Sequence, residues 1–588
     1  MTEAVHYRVS MLRPHSHLFE VQATFPAGPE VLEALLPVWT PGSYLVREFS
    51  RHVQDMSASG PGGEPLAVQR VDKRTWRVQA KGRAVTLHYR VYANELTVRT
   101  SHLDGSHGYF NGATLFLYTE ATRGLEHLVT LEAPADWKAF AALERRGEDF
   151  VAQDYDELVD SPFEVGPHTP LTFTAAGVPH EVVVWGDAVP DAGKLCADLQ
   201  RICEAQAKMF GGLPMRRYLF LLYLTDKGRG GLEHKASTSL LFPRAGLQNS
   251  RGWEDLLTLA AHEYFHLWNI KRVKPRALVP FDYSQENYTS LLWAFEGGTS
   301  YYDTVFLVRA GLMSDNRYLT RLGETLSTLH ALPGRKVQTL AEASLVSWVK
   351  HYRPDEHSPN SAISYYLKGE VVAALLDLEL RRATDNARGL DDLMRLLWQR
   401  YGDESGVPED GVEAAASEVA GKDLSAFFDR ALRTTEELDY SVFSHVGLEV
   451  RFRPRETSGD KGGTPPPRVK GEHKPKGWLG VTTKGSATLA TVLDGSPAQE
   501  AGLYVDDELV ALDGWRVDAA GLLSRTEDKA PGDTARLTVF RRDRLMEVPV
   551  TLGQKPADAV WLARVDKPTD EQKAAYQAWL GAPWEESG

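Results

Sequence analysis

One stretch, "RGWEDLLTLAAHEYFHLWNIKRV" from Arg251, limits the architecture more than any other. Trp253, Leu256, Leu257, Ala260, Tyr264 and Trp268 recur at three- and four-residue intervals, and more apolar residues fill the remaining faces. A helix that is apolar nearly all round is buried, so the pattern predicts a core helix that carries His262, Glu263 and His266 into an interior. Buried ionisable groups need partners or an ion. Imidazoles at i and i+4 project from one face, near enough to hold a single divalent metal, while Glu263 is rotated about 100° from the first of them. A metal with three protein ligands keeps a position for water and lowers its pKa to roughly 7, and a neighbouring carboxylate can pass the proton to a leaving amine. Histidines in this spacing also arise by chance on helices, so a third ligand is the discriminating feature.

A second apolar helical stretch, "SLLWAFEGGTSYYDTVFLV", contains Glu296 and Asp303, seven apart and therefore on one face. Glu296 can complete a His/His/Glu set; the other reading, a surface acid at a helix end, stays open because "EGG" follows it. Asp303 can accept the remaining ring N–H of a ligand histidine and fix its tautomer. Zinc, one ion per chain, is expected over manganese or cobalt from ligand type and availability.

The chain of 588 residues is too long for one core, and its 43% apolar and 25% charged residues are ordinary for a packed protein. A net charge of −14, with no dense basic tract beyond "RVKGEHKPK", argues against a nucleic-acid partner. The charged N-terminus and the lack of any long apolar run argue against a signal peptide or a membrane partner, and a cytoplasmic location is expected. Cys196 and Cys203 fall on one expected helix about 10 Å apart, beyond disulfide reach, and read as core residues. The expected fold is multidomain α+β. Alternating runs between Gly/Pro turns predict an antiparallel β domain over 1–175, and a mainly helical domain follows over 176–452. A Pro/Gly/Lys-rich linker is expected at 453–476, then a compact unit at 477–555 and a tail at 556–588.

The ordered series "WTPGSYLVREF", "GGLEH", "HEYFHLWN", "WAFEGGTSYYD", "YYLKGE" and a C-terminal PDZ-like unit resembles, over nearly the full length, the PDZ-containing glycyl aminopeptidase family. That family belongs to the gluzincins, with thermolysin-like catalytic domains. The resemblance implies a zinc aminopeptidase acting on peptides with a free N-terminus, with a preference for small first residues such as Gly or Ala. "GGLEH" is similar to the G-x-M-E-N strand of zinc aminopeptidases, which implies that Gly230 and Gly231 line the substrate and Glu233 binds its α-ammonium group. His234 replaces the asparagine, so its role is open. An internal peptide would leave Glu233 buried and unpaired, which would restrict cleavage to N-terminal residues. The Y-x-K-G match at Tyr366, Lys368 and Gly369 implies that Tyr366 donates to the oxyanion, with Tyr365 the alternative. "WTPGSY" reads as a Pro-Gly turn that only shapes the β domain.

The PDZ-like "WLGV" offers the backbone N–H groups of Leu479, Gly480 and Val481 to a terminal carboxylate. Its ligand could be a substrate's far end, a partner's C-terminus or another part of this chain, and a purely structural role stays open. Two other functions remain at this stage: an endopeptidase using the same zinc site, and a catalytically silent PDZ adaptor.

Overall fold

The alternating runs near the N-terminus form strands with one face inward. In "LFEVQATF", Leu18–Phe25, the residues Phe19, Val21, Ala23 and Phe25 are buried and their neighbours are not. The computed structural model describes residues 4–457, 459–466, 475–485 and 487–584. They divide into two compact units. One comprises Met1–Tyr288, Tyr302–Leu312 and Arg395–Pro408; the other comprises Thr289–Tyr301, Met313–Met394 and Glu409–Gly588.

The first unit opens with an eight-stranded sheet whose central strands are Ala4–Ser10 and Leu18–Phe25. This sheet is not wholly antiparallel as expected: Ala4–Ser10 runs parallel to Glu126–Glu132, joined by a connection of more than a hundred residues. Sheets of three and four strands share its core. Tyr7, Tyr89 and Tyr155 are buried there, and each donates its hydroxyl to one of three successive carbonyls, those of Leu117, Leu115 and Phe116, at 2.6 to 2.7 Å. These bonds satisfy a segment that no ladder serves.

A mixed five-stranded sheet follows, in the order Leu171–Ala175, Val178–Gly186, Tyr218–Thr225, Ser237–Pro243, Gly230–Glu233. The middle strand, "YLFLLYLT", is buried at every position, as a strand covered on both faces must be. Two helices, α1 (Ala192–Phe210) and α2 (Ser250–Phe265), pack on one face through Leu199, Cys203, Leu256, Ala260 and Tyr264. Both cysteines lie on α1 and are unbridged. The Asn249 side chain caps α2 by accepting from the Gly252 N–H at 2.8 Å. Gly230–Glu233, at the sheet edge, pairs antiparallel with Ser237–Pro243 and carries Glu233.

One wide π-helical turn, Trp293–Gly297, belongs to the second unit and leads into α3 (Gly298–Arg309), whose residues from Tyr302 on are counted with the first. Further helices are α4 (Asp315–Ala331) and α5 (Tyr365–Ala383). The C-terminal β unit has strands from Val481–Lys484 to Arg544–Thr551 around a core of Leu489, Leu509, Leu537, Val539 and Val550, with α6 (Ala519–Glu527) beside it. Among the described residues no helix is long and apolar enough to cross a membrane.

Much of the supposed linker at 453–476 is fixed: Arg453 is paired with Asp460, Arg455 donates to the Ser327 carbonyl at 2.9 Å, and Gly463 N–H donates to Val560 O at 2.8 Å. Residue 458 and residues 467–474 of that stretch lie outside the described residues. The tail at 556–588 is no appendage either. Ala559–Arg564 pairs with Leu448–Arg453, and α7 (Asp570–Leu580) buries Trp579, whose ring N–H donates to the Tyr301 hydroxyl at 2.9 Å. Among the described residues of that stretch, Arg453, Arg455 and Asp460 make specific ion pairs and carbonyl contacts.

Candidate metal centre

In the first unit, the C-terminal end of α2 lies against the edge strand Gly230–Glu233. One ligand atom from each of Glu233, Glu263 and His266 lies within 4.8 Å of the other two, and all three residues are buried. Gly231 makes the approach feasible, since a Cβ there would collide with the Glu263 carboxylate. Glu263 is therefore laid across the strand at a point where only glycine fits. Glu233 Oε1 is buried and has no hydrogen-bond partner among the described residues. An unpaired buried carboxylate oxygen is costly, which marks it as a position for a cationic ligand group.

The expected long helix stops short of Trp268: α2 ends at Phe265, and His266 is its C-cap. The break frees the next carbonyls, and His266 Nδ1 donates to Asn269 O at 2.6 Å. His262 Nδ1 faces Asp303 Oδ2 at 3.2 Å. A carbonyl and a carboxylate can only accept, so both rings carry the proton on Nδ1 and the lone pair on Nε2. The two rings are 4.8 Å apart and nearly perpendicular, at 83°. Two such imidazoles with carboxylates beside them form the donor set that a borderline divalent ion takes.

The "WTPGSY" turn does more than shape the β domain. Gly42 sits at φ +88, and a Cβ on it would lie 2.6 and 2.7 Å from the two Glu233 carboxylate oxygens. Thr40 and Ser43 close the turn, with Ser43 N–H donating to Thr40 O at 3.0 Å, and the Thr40 hydroxyl donates to Asn111 Oδ1 at 3.1 Å. The Pro-Gly signal showed a turn but could not show which side chain it would cover. His234, left open by the sequence, turns to Asp160, with Nδ1 3.3 Å from Oδ1. Lys271 Nζ is 2.5 Å from the same oxygen, and the Lys235 N–H donates to Oδ2 at 2.7 Å. Burial alone would raise the Asp160 pKa, but Lys271 and His234 outweigh it and hold the carboxyl well below its ordinary range. Asp160 thus ties the residues after Glu233 to the loop after His266, a role no spacing rule could reveal.

In the second unit, Glu296 is buried on the π-helical turn, a distortion frequent at functional sites. A Cβ on Gly369 would lie 2.8 Å from Trp293 O and 2.9 Å from Gly297 Cα, so this glycine pair lets α5 meet that turn backbone to backbone. Tyr366, in the first turn of α5, has its hydroxyl 3.2 Å from that of Tyr352, and its ring stacks on Tyr365 at 4.7 Å. Burial, and then the Glu296 carboxylate, raise the Tyr366 pKa well above that of an ordinary phenol, so it keeps its proton. His351 packs 5.5 Å from the Tyr366 ring, and burial lowers its pKa. Neither Tyr352 nor His351 was legible in the sequence. Lys368 is also buried, and its pKa is lowered to about 8 by burial.

A family model for the peptidase M61 N-terminal domain matches residues 6–167, and one for M61 glycyl aminopeptidase matches residues 255–372. A solved aminopeptidase N family protein from Idiomarina loihiensis is 33% identical and superposes with a TM-score of 0.92, covering 98% of this chain and 100% of that one. An M1 zinc metallopeptidase from Deinococcus radiodurans is 13% identical with a TM-score of 0.46, over 74% of this chain and 94% of that one. A probable periplasmic serine endoprotease, DegP-like, from Brucella suis is 35% identical over 81 residues, 14% of this chain, so the chain spans only 16% of that relative's length. The first of these structures, taken with the family models, defines a metallo-aminopeptidase. The chain belongs to the M61 glycyl aminopeptidase family.

Proposed function

We propose that this chain removes N-terminal residues, preferably Gly or Ala, from peptides, using one zinc ion held by His262, His266 and Glu296 with Glu263 as general base. The observation that carries the reading is the buried cluster of Glu233, Glu263 and His266, in which Glu233 Oε1 has no partner among the described residues. The Nδ1–H tautomers of His262 and His266 support both as ligands through Nε2. The family match, whose residues 255–372 include His262, His266 and Glu296, supports Glu296 as the third ligand. The ion, when bound, polarises the scissile carbonyl and lowers the pKa of water. Preference for a small first residue is supported by the family match.

Glu233 receives the substrate's α-ammonium group, which sets the register so that only the first peptide bond reaches the reacting position. Glu263 takes a proton from the attacking water and returns it to the leaving amine nitrogen. Tyr366 keeps its phenolic proton and donates a hydrogen bond as negative charge develops on the carbonyl oxygen, where it counts most in the transition state. Gly231 and Gly42 leave room for the two carboxylates. The test is Glu263→Gln: it should retain zinc while turnover of a glycyl or alanyl amide falls at least about a hundredfold. Undiminished turnover would remove Glu263 as the base, and equal cleavage of an N-acetylated peptide would remove the aminopeptidase reading.

The C-terminal β unit is read as a PDZ module that grips a peptide carboxylate through the N–H groups of Leu479, Gly480 and Val481. Support comes from its edge strand, Val481–Lys484, which together with Leu522 of α6 lines a cavity of about 920 Å³ that Arg335 and Lys336 also border. A peptide with a free C-terminus should bind and its C-terminal amide should not; equal binding by the two would discard this role.

A further inference from the structure

The segment "SHLDGSHGYF", Ser101–Phe110, folds into a hairpin of the strands Ser101–Leu103 and Gly108–Phe110. Asp104 locks its turn: Oδ1 accepts from the Ser106 N–H at 2.7 Å, the Ser106 hydroxyl at 2.6 Å and the His107 N–H at 3.2 Å. Oδ2 makes no hydrogen bond among the described residues. The turn also brings His102 Nδ1 to 2.9 Å from His107 Nε2. One ligand atom from each of His102, Asp104 and His107 lies within 4.8 Å of the others.

What lies behind His107 is built, and it repeats the device seen at His262. His107 is fully buried and its Nδ1 faces the Glu164 carboxylate, 3.0 Å from Oε1 and 3.2 Å from Oε2. Glu164, itself fully buried, is held by His168 Nε2 at 2.7 Å and by the Tyr223 hydroxyl at 3.1 Å. Donation from Nδ1 to that carboxylate fixes the tautomer and leaves the lone pair on Nε2, aimed at His102. Trp185 stacks on the His107 ring at 4.0 Å and donates to Ser106 Oγ at 3.1 Å, which fixes the ring plane. Two nitrogens bound to one ion at the usual distance sit about 2.9 to 3.4 Å apart, from octahedral to tetrahedral angles. The observed separation therefore needs little or no opening.

We propose that His102, Asp104 and His107 form a second divalent-metal site, for a borderline ion of the Zn²⁺, Co²⁺ or Ni²⁺ class, with Glu164 as the carboxylate that orients His107. Two imidazole nitrogens and one carboxylate oxygen suit such ions, and water completes the coordination. Arg99 donates to Gly231 O at 3.1 Å and the Tyr109 hydroxyl to Ser239 Oγ at 3.1 Å, so an ion here pins a hairpin attached to the strands around Glu233. The site does not depend on the aminopeptidase reading.

The test uses the full chain carrying His262→Ala and His266→Ala, dialysed against Zn²⁺ and, separately, Co²⁺. About one ion per chain should be retained, with a rise in Tm on loading, and both should disappear when His102→Gln is added. No retained ion in the double variant, or retention unchanged by His102→Gln, overturns the proposal. If the double variant does not fold, the otherwise unaltered chain should retain one ion more than its His102→Gln form; equal stoichiometry overturns it.

Discussion

Replacing Gly42 with alanine tests whether the Thr40–Tyr44 turn positions the carboxylate that is proposed to hold the substrate's amine. The new Cβ would lie 2.6 and 2.7 Å from the Glu233 oxygens, whereas ordinary contact begins at 3.4 Å. The carboxylate or the turn must therefore retreat by about 0.7 Å. The residue also sits at φ +88, where an alanine costs about 1 to 2 kcal/mol, and overpacking adds about 1 to 3 kcal/mol. The variant should lose stability in thermal unfolding. A charge-assisted hydrogen bond contributes about 1.5 to 3 kcal/mol, so displacing Glu233 should lower kcat/KM for free-amine dipeptide amides by roughly ten- to a hundredfold. The control is Gly28→Ala in the same unit, where a Cβ meets nothing within 4 Å and φ is not in the left-handed range. A folded Gly42→Ala enzyme with the kcat/KM of the Gly28→Ala control would refute the reasoning, because the turn would then have no hold on Glu233.

Three more outcomes are expected. Gly297→Ala pushes the π-helical turn away from α5 at Gly369; it should cost about 1 to 3 kcal/mol in chemical denaturation and reduce zinc retained after dialysis, because Glu296 is the preceding residue. Asp160→Asn strands buried Lys271 and His234 and should destabilise the protein by about 3 to 5 kcal/mol at pH 7. Because the Asp160 pKa is depressed in the folded protein, that stabilisation is complete above the ordinary carboxylate pKa of about 4 and is lost as pH falls below it, so the gap between wild type and variant should narrow in acid. Trp579→Ala empties a fully buried site in α7 and should cost about 3 to 5 kcal/mol by circular dichroism melting; a negligible effect would mean that the C-terminal helix does not support the unit it packs into.

Local pattern determined a good part of this molecule. The apolar periodicity of 251–273 called for a buried helix, and the i, i+4 spacing put His262 and His266 on one face of it, because helix geometry depends on little beyond the neighbouring residues. The seven-residue interval put Glu296 and Asp303 on one expected helix face for the same reason. The strand "YLFLLYLT" and the shift from alternating to helical patterns were readable because period follows secondary structure.

Tertiary structure decided what sequence separation conceals. Gly42 meets Glu233 across nearly two hundred residues, Asp160 meets Lys271, and His107 meets Glu164; no period or spacing rule connects such pairs. The helix break at His266 was equally hidden, since its Nδ1 is satisfied by a carbonyl that only the broken chain can present. The charged segment after Arg453 looked unable to offset its ordering entropy, yet Asp460, Ser327 and Val560 give it specific partners. Periodicity tells which face of an element is buried, whereas the partner on that face depends on how the whole chain closes.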